Sequence, residues 1–173
     1  AETPVVAALA EAYYDIRQGL GFNKSPAEYG AFPTDPYSHT PMGSGARQPG
    51  MTGQVKEEIL TRFGELGVSV QRGALCFAPS LLRRDEFLAA PGEFEYIDVA
   101  HQPRTVSLPS HSLAFTVCQT PVVYVYGDRP ALQVTLANGQ IIALPDNCLD
   151  AATSSHIFGR DGQVQMVRVT IAN

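Results

Sequence analysis

The chain has 173 residues, a formal net charge of −5 and a hydrophobic content of 45%. This length suits one domain, with or without an appendage, and allows a core without disulfides or metals. The negative charge gives no electrostatic basis for binding nucleic acid or anionic membranes, and no apolar run approaches the roughly 18 residues of a membrane span. Nucleic-acid and membrane partners are therefore not expected.

The amino-terminal part predicts two helices. Thr3 and Pro4 favour a helix start, and apolar residues then recur at helical spacing, which predicts an amphipathic helix over residues 4–18. A second helix is predicted from Thr52 to about Leu66, with Gly67 at its end.

The connection between these helices, Tyr29 to Gln54, combines prolines and glycines with polar and aromatic side chains. Long connections without secondary structure are uncommon in compact domains, and prolines limit their conformational freedom. We therefore expect a shaped loop that lies against a ligand. Its candidate ligand-binding residues are Asp35, Tyr37, His39, Arg47, Gln48, Thr52 and Gly53.

These residue types suit polar recognition. Tyr37 offers a flat apolar face beside Asp35 and His39, which could form an acid–base or orienting pair. Turn capping by Asp35 and a backbone hydrogen bond from His39 are the structural alternative. The start of the second helix has free N–H groups that can receive a phosphate or a carboxylate, with Arg47 adding bidentate recognition. A plain helix-capping role for Thr52 is the alternative there.

After Gly67 the sequence changes to short runs with strand-like alternation. Turn signals separate these runs, and Asn138-Gly139 is the strongest hairpin signal, followed by Asp161-Gly162. The predicted strands are Val68–Gln71, Leu75–Ala78, Glu93–Val99, Thr105–Leu108, Ser112–Cys118, Val122–Tyr126, Ala131–Thr135, Gln140–Leu144 and Val164–Ile171.

Many short strands at regular spacing are typical of a β-sandwich or a jelly roll. The predicted fold class is therefore α+β, in which a helical segment precedes a β-sandwich. We place the helical segment at residues 1–67 and the β-sandwich domain at residues 68–173.

Cys76, Cys118 and Cys148 are far apart and form no CxxC pair, which gives little support to a zinc or iron–sulfur site. Buried thiols in a reducing compartment are the favoured interpretation, and they favour a cytoplasmic location; a single disulfide is the alternative. The histidines of the β-rich half lack the spacing of metal ligands, and no phosphate-binding glycine motif is present. No metal and no cofactor are expected.

Three motifs follow one another in the middle of the chain: a helix opened by Thr52-Gly53, a Gly-Glu-Leu-Gly-Val exit, and the run GALCFAPSL, which begins at Gly73. In this order they resemble the junction in six-hairpin glycosidases, where an (α/α)6 barrel leads into a carboxyl-terminal β-sandwich. Members similar to cellobiose phosphorylases carry such a junction. The resemblance covers roughly residues 50–100.

The resemblance implies that the chain is the carboxyl-terminal part of a carbohydrate-active enzyme. In phosphorolytic relatives the Thr-Gly pair lies near the phosphate, but here Gln54 follows where a small residue is usual, which argues against phosphorolysis. The chain begins with Ala1 instead of methionine, and the barrel with its catalytic acid would lie upstream. This chain alone would then not catalyse, and its expected partners are a carbohydrate ligand and an upstream barrel domain or a partner chain.

Two classes of function result. In the first, the Tyr29–Gln54 loop lines the sugar site of a glycoside hydrolase-like enzyme. In the second, the chain is a non-catalytic assembly domain, and the apolar stripe of the first helix (Leu9, Tyr13, Ile16) forms an interface. A free-standing carbohydrate-binding β-sandwich is a further alternative.

Overall fold

The computed structural model of the protein describes residues 4–19 and 52–172. Within them lie three α-helices, one short 3-10 helix and nine strands. The helices are α1 (Pro4–Gly19), α2 (Thr52–Glu65) and α3 (Ala151–Gly159), and the 3-10 helix is Arg84–Glu86. The strands are β1 (Val68–Gln71), β2 (Ala74–Phe77), β3 (Gly92–Ile97), β4 (Pro103–Leu108), β5 (Ser112–Val117), β6 (Thr120–Gly127), β7 (Ala131–Leu136), β8 (Ile141–Leu144) and β9 (Val164–Ala172).

The order of elements confirms that helix at the amino-terminal end is followed by a β-rich part. Both predicted helices and all the predicted strands are present, with ends that differ by a few residues. The chain divides into two compact units, Ala1–Arg62 and Phe63–Asn173, so α2 begins in the first unit and ends in the second.

The sequence prediction missed α3. Its start has a good capping residue, because the Asp150 side chain accepts the Thr153 backbone N–H at 2.7 Å and the Thr153 hydroxyl at 2.8 Å. The hairpin predicted at Asp161-Gly162 is wrong, since these residues join α3 to β9. β9 pairs instead with β6, in parallel, and with β7.

The five-stranded sheet of the second unit has the order β5-β6-β9-β7-β8. Strand β6 is buried on both faces of this sheet. Its sequence, TPVVYVYG, is therefore nearly continuously apolar. Alternate side chains of β6 enter two different hydrophobic clusters: Val122 and Tyr124 enter the first, Val123 and Val125 the second.

The first cluster joins one face of this sheet to β2, to the segment before α3 and to α3. It is formed by Leu66, Leu75, Phe77, Phe87, Leu113, Val117, Val122, Tyr124, Leu132, Val134, Leu149, Ile157, Val164, Val167 and Val169. The second cluster is smaller and joins the opposite face to the β3–β4 hairpin. Its buried members are Leu108, Val123 and Val125, against which Phe94 and Val106 pack.

The hairpin predicted at Asn138-Gly139 is confirmed, since it joins β7 to β8 in antiparallel pairing. The Gly139 N–H donates to the Leu136 carbonyl at 2.9 Å, and the Leu136 N–H donates to the Gln140 carbonyl at 2.9 Å. Gly139 has a φ of 82°, which is the left-handed conformation that a three-residue hairpin loop requires.

Cys76 and Cys148 form a disulfide across 72 residues of sequence. The interpretation of these two residues as free thiols is therefore wrong; Cys118 is free and half-buried. The disulfide lies between two backbone hydrogen bonds of 2.8 Å, one from the Phe77 N–H to the Asn147 carbonyl and one from the Leu149 N–H to the Leu75 carbonyl. Together these bonds attach the segment before α3 to β2.

Tyr124 is the largest fully buried side chain among the described residues, with an exposed fraction of 0%. Its hydroxyl donates a hydrogen bond of 2.6 Å to the Leu66 carbonyl, directly after the end of α2. Its ring makes edge contacts with Phe77 and Phe115. Since the last carbonyls of a helix have no partner inside the helix, this bond satisfies a group that would otherwise be buried without one.

Among the glycines of the described residues, Gly67 is the one where replacement by alanine is expected to be most costly. Its φ is 65°, and a Cβ there would lie 2.2 Å from the backbone carbonyl of Ala78. We expect Gly67→Ala to lower the free energy of unfolding by more than the roughly 1–2 kcal/mol that a left-handed conformation alone costs a residue with a side chain. Urea unfolding of the purified chain measures this loss.

Two glycines provide matched controls for this experiment. Gly73 has a φ of 82° with no atom within 4 Å of an added Cβ, so Gly73→Ala measures the backbone cost alone. Gly64 is in α2 with equally open surroundings, and Gly64→Ala should stabilise by about 0.5–1 kcal/mol. Equal losses for the variants at 67 and 73 would contradict the clash with Ala78.

Tyr124→Phe is expected to lower the free energy of unfolding by about 1–2 kcal/mol, because the Leu66 carbonyl loses its partner. Burial raises the pKa of Tyr124 above the ordinary 10.0. The folded state therefore holds the Tyr124 hydroxyl proton more tightly than the unfolded state does. The contribution of this hydroxyl to the free energy of unfolding is complete below about pH 10 and decreases as the pH rises further. Urea unfolding from neutral pH to about pH 11 should show a shallower alkaline decrease in the variant; an unchanged slope would refute this assignment.

Candidate functional site

The predicted site in the Tyr29–Gln54 loop lies almost entirely outside the described residues. This applies to Asp35, Tyr37, His39, Arg47 and Gln48. Thr52 and Gly53 are in the first turn of α2, as predicted. The ligand-binding role of these seven residues stays a prediction.

Within the described part of the chain, a cleft of about 610 Å³ lies along the β3–β4 hairpin. Six residues line it, as three cross-strand pairs: Glu95 with Thr105, Tyr96 with Arg104, and Ile97 with Pro103. Its lining is more polar than apolar. Its volume falls in the range of about 300–1,000 Å³ that is common for small-molecule sites.

The alternating sequence of β3 orients this site. Phe94 packs against the second hydrophobic cluster, while Glu93 and Glu95 are exposed. Tyr96 is half-buried, and its ring is nearly parallel to that of Phe94, with an angle of 8° and centroids 5.9 Å apart. The core residue Phe94 thus supports the ring that lines the cleft.

Asp98 organises the turn between β3 and β4. Its Oδ1 atom accepts the backbone N–H groups of Ala100 and Gln102, each at 2.9 Å. Its Oδ2 atom accepts the Nε–H of Arg104 at 2.7 Å. The Gln119 side chain donates to the Asp98 backbone carbonyl at 2.9 Å, which ties this turn to the one between β5 and β6. One carboxylate therefore fixes both the turn and the guanidinium that lines the cleft.

The charges of these groups are set by the same contacts. The hydrogen bond from Arg104, followed by the backbone N–H of Gln102, lowers the pKa of Asp98, and Asp98 in turn raises the pKa of Arg104. Burial, followed by the charge of Asp98, raises the pKa of Tyr96. At neutral pH the cleft therefore has a carboxylate at Asp98, a charged Arg104 and a neutral phenol at Tyr96.

This arrangement suits binding better than catalysis. Tyr96 and its cross-strand partner Arg104 lie on the same face of the hairpin and offer a flat ring and a guanidinium held by its Nε–H. Both oxygens of Asp98 already accept hydrogen bonds, so Asp98 is poorly placed to transfer a proton to a ligand. The sequence prediction did not single out these residues, although the alternating run Gly92–Ile97 followed by Asp98 was a usable signal.

A second hollow, of about 200 Å³, lies where the ends of β7 and β9 meet the segment 145–147. Its lining is mainly apolar and includes Phe77, Leu132 and Val169. It is smaller than common small-molecule sites, so we interpret it as a packing hollow.

His156 and Asp161 form another close pair of titratable groups. The His156 Nδ1 atom lies 2.6 Å from the Asp161 Oδ2 atom, and Asp161 also accepts the Gln163 N–H at 3.0 Å. The contact with His156 lowers the pKa of Asp161. Since both residues are exposed at the end of α3, the pair closes the turn into β9.

Residues 4–19 and 52–172 contain no group of three or more His, Cys, Asp or Glu side chains that could hold a metal ion. His101 and His111 are exposed and lie between strands. None of the described helices is long and apolar enough to cross a membrane.

No protein family and no curated protein matches the chain. The residues of the β3–β4 cleft therefore carry the functional argument together with the resemblance seen in the sequence.

Asp98→Asn tests the central contact of this site. The pKa of Asp98 lies below the ordinary value of 3.8. Above this pKa the Asp98 carboxylate accepts the Arg104 Nε–H, and the stabilising hydrogen bond is lost as the pH falls through it. We expect the NMR signal of the Arg104 Nε–H to shift with a midpoint below about pH 3.8 in the wild type. In Asp98→Asn this transition should be absent. Asp128→Asn, in the turn after β6, is the control and should keep it; a transition that survives in Asp98→Asn would contradict the assignment.

Proposed function

We propose that this chain is a carbohydrate-binding part of a carbohydrate-active enzyme and that the β3–β4 cleft contacts the sugar. The observation that carries the proposal is that the Tyr96 ring and the oriented Arg104 guanidinium are cross-strand partners on one face of the hairpin that lines the open cleft. The resemblance of residues 50–100 to the barrel–sandwich junction of six-hairpin glycosidases supports the choice of ligand.

The chemistry of a pyranose ring matches these two groups. One face of the ring has mainly C–H bonds, which pack against the flat, apolar face of an aromatic side chain. Its hydroxyl groups both donate and accept hydrogen bonds, so their oxygens can accept from the remaining N–H groups of Arg104. A few polar groups placed around an apolar surface are what gives such a site its orientation and specificity.

The same proposal includes two finer statements. Residues 68–173 form a β-sandwich, an arrangement supported by the hydrophobic clusters on both faces of the five-stranded sheet. The Tyr29–Gln54 loop lines a sugar site of its own, and the catalytic acid belongs to a barrel outside this chain. The β-sandwich rests on the packing of the clusters, and the sugar site of the loop and the upstream catalytic acid rest on the sequence resemblance.

An assembly role is the second candidate, and exposed apolar side chains on α1 favour it. Val5 and Leu9 have exposed fractions of 67% and 65%. Such side chains on one amphipathic helix are typical of a surface that another protein covers. Size-exclusion chromatography with light scattering separates the two roles: a monomer that binds sugar supports the first, and an oligomer without sugar affinity supports the second.

The proposal predicts that neutral oligosaccharides bind the chain and that Tyr96 provides most of the contact. Tyr96→Ala should weaken binding by about tenfold, because the ring is lost, whereas Tyr96→Phe keeps the ring and should stay within about threefold of the wild type. NMR titration against a panel of oligosaccharides measures both affinities and shows which residues respond.

In the same titration, Tyr37→Ala distinguishes a sugar site on the β3–β4 hairpin from a sugar site in the Tyr29–Gln54 loop. If Tyr37→Ala weakens binding and Tyr96→Ala does not, the sugar site is in the loop and the cleft is wrongly assigned. If no oligosaccharide of the panel binds the intact chain, the proposed function is wrong.

A further inference from the structure

The guanidinium of Arg104 has more hydrogen-bond donors than its own chain uses. Its Nε–H donates to the Asp98 Oδ2 atom at 2.7 Å, and the Arg104 side chain is 59% exposed. The N–H groups of its two Nη atoms have no hydrogen-bond partner among residues 4–19 and 52–172. Because the contact with Asp98 fixes one edge of this planar group, the Nη edge has a defined direction before any ligand arrives.

Tyr96 lies beside these donors. It is the cross-strand partner of Arg104, so both side chains leave the same face of the hairpin, with Cβ atoms about 4.5–5.5 Å apart. Burial and the charge of Asp98 raise the pKa of Tyr96, and the charge of Arg104 opposes them, an effect that acts over about 4–6 Å. Glu95 and its partner Thr105 leave the opposite face. One ligand can therefore contact Tyr96 and Arg104 together.

The shape of the Nη edge favours a carboxylate as the group that Arg104 binds. Two parallel N–H groups of a guanidinium match the two oxygens of a carboxylate, which gives a bidentate, charge-assisted contact. In a uronic acid the carboxylate is attached directly to the pyranose ring and lies at its edge. The C–H face of the same ring can then pack against an aromatic side chain next to the guanidinium. A neutral hexose has a hydroxymethyl group at this position, which offers only one oxygen.

The carboxylate of Asp98 opposes an anionic ligand, but more weakly than Arg104 attracts it. A carboxylate on the Nη edge would lie about 4 Å from the centre of the guanidinium and about 7 Å from the Asp98 carboxylate on the Nε side. At one dielectric constant the repulsion is then roughly 0.6 of the attraction. The Asp98 charge is also shared with the backbone N–H groups of Ala100 and Gln102. The net effect at the Nη edge is attractive.

We propose that the cleft prefers acidic sugars, with the Tyr96 ring against the face of a uronic acid and the Nη edge of Arg104 on its carboxylate. The inference rests on the proposed carbohydrate-binding function and adds the class of sugar to it. Arg104 is the residue that determines this specificity.

The experiment compares two matched pairs of ligands on the intact chain by NMR titration: a methyl glucoside with the methyl glucuronide, and a methyl galactoside with the methyl galacturonide. Within each pair only the hydroxymethyl group and the carboxylate differ. In at least one pair the acid should bind about fivefold or more tightly than the neutral sugar at low salt. High salt should reduce this difference, because it screens exposed charges.

Acetate serves as a ligand that has the carboxylate without the ring. It should bind at least about tenfold more weakly than the preferred uronic acid, because the contact with Tyr96 is absent. The signals that shift with the uronic acid should include those of Tyr96 and Arg104.

Two substitutions of Arg104 separate its charge from its planar shape. Arg104→Gln removes the charge, and Arg104→Lys keeps the charge but loses the bidentate edge; both should bring the acid to within about twofold of the neutral sugar. Arg129→Gln removes the same charge from the exposed turn after β6 and should keep the preference. Glu95→Gln, on the opposite face of the hairpin, should also keep it.

The outcomes distinguish the inference from the proposed function. If neither acid binds more tightly than its neutral partner, the inference is wrong, whereas binding of the neutral sugars still supports the function. If acetate binds as tightly as the uronic acid, or Arg129→Gln abolishes the preference as Arg104→Gln does, the effect is one of charge alone and the inference is also wrong. If no neutral or acidic carbohydrate binds, both are wrong. The wild-type comparison decides the class of sugar even where a variant disturbs the hairpin.

Discussion

The hydrogen bond from the Tyr124 hydroxyl to the Leu66 carbonyl is the constraint on which the second unit depends. It joins the end of α2 to the strand that is buried on both faces of the sheet. The left-handed Gly67 follows at once and leaves no room for a side chain beside Ala78. A buried carbonyl without a partner would cost more than the bond itself contributes, so this junction allows little variation.

Strand β6 connects this junction to the candidate site. Its alternate side chains Val123 and Val125 form the second cluster, on which the β3–β4 hairpin packs through Phe94. An isolated two-stranded hairpin is at best marginally stable, so the cleft depends on this packing for a fixed geometry. The turn end of the hairpin is held by the Gln119 hydrogen bond to the Asp98 carbonyl, and Tyr96 and Arg104 line the cleft beside it. The same hairpin thus packs on the core and lines the candidate site.

The sequence predicted the strands well because period-two alternation and turn residues are local signals, as at β3 and at Asn138-Gly139. It missed α3, where a short segment rich in Ala, Ser and Thr is helical because Asp150 caps it and Ile157 is buried. It also assigned Asp161-Gly162 to a hairpin, since a turn dipeptide does not reveal which strands it joins. The cleft was missed for the same reason: Tyr96 and Arg104 meet only through strand register.

The sequence by itself determined the order of helices and strands, the position of most turns and the glycine that ends α2. Only the tertiary structure decided the pairing of Cys76 with Cys148 across 72 residues, the insertion of β9 between β6 and β7, and the position of Arg104 beside Asp98 and Tyr96. The physical reason is that periodicity and backbone preference act over a few neighbouring residues. Contacts between distant segments depend on the register and packing of the whole sheet.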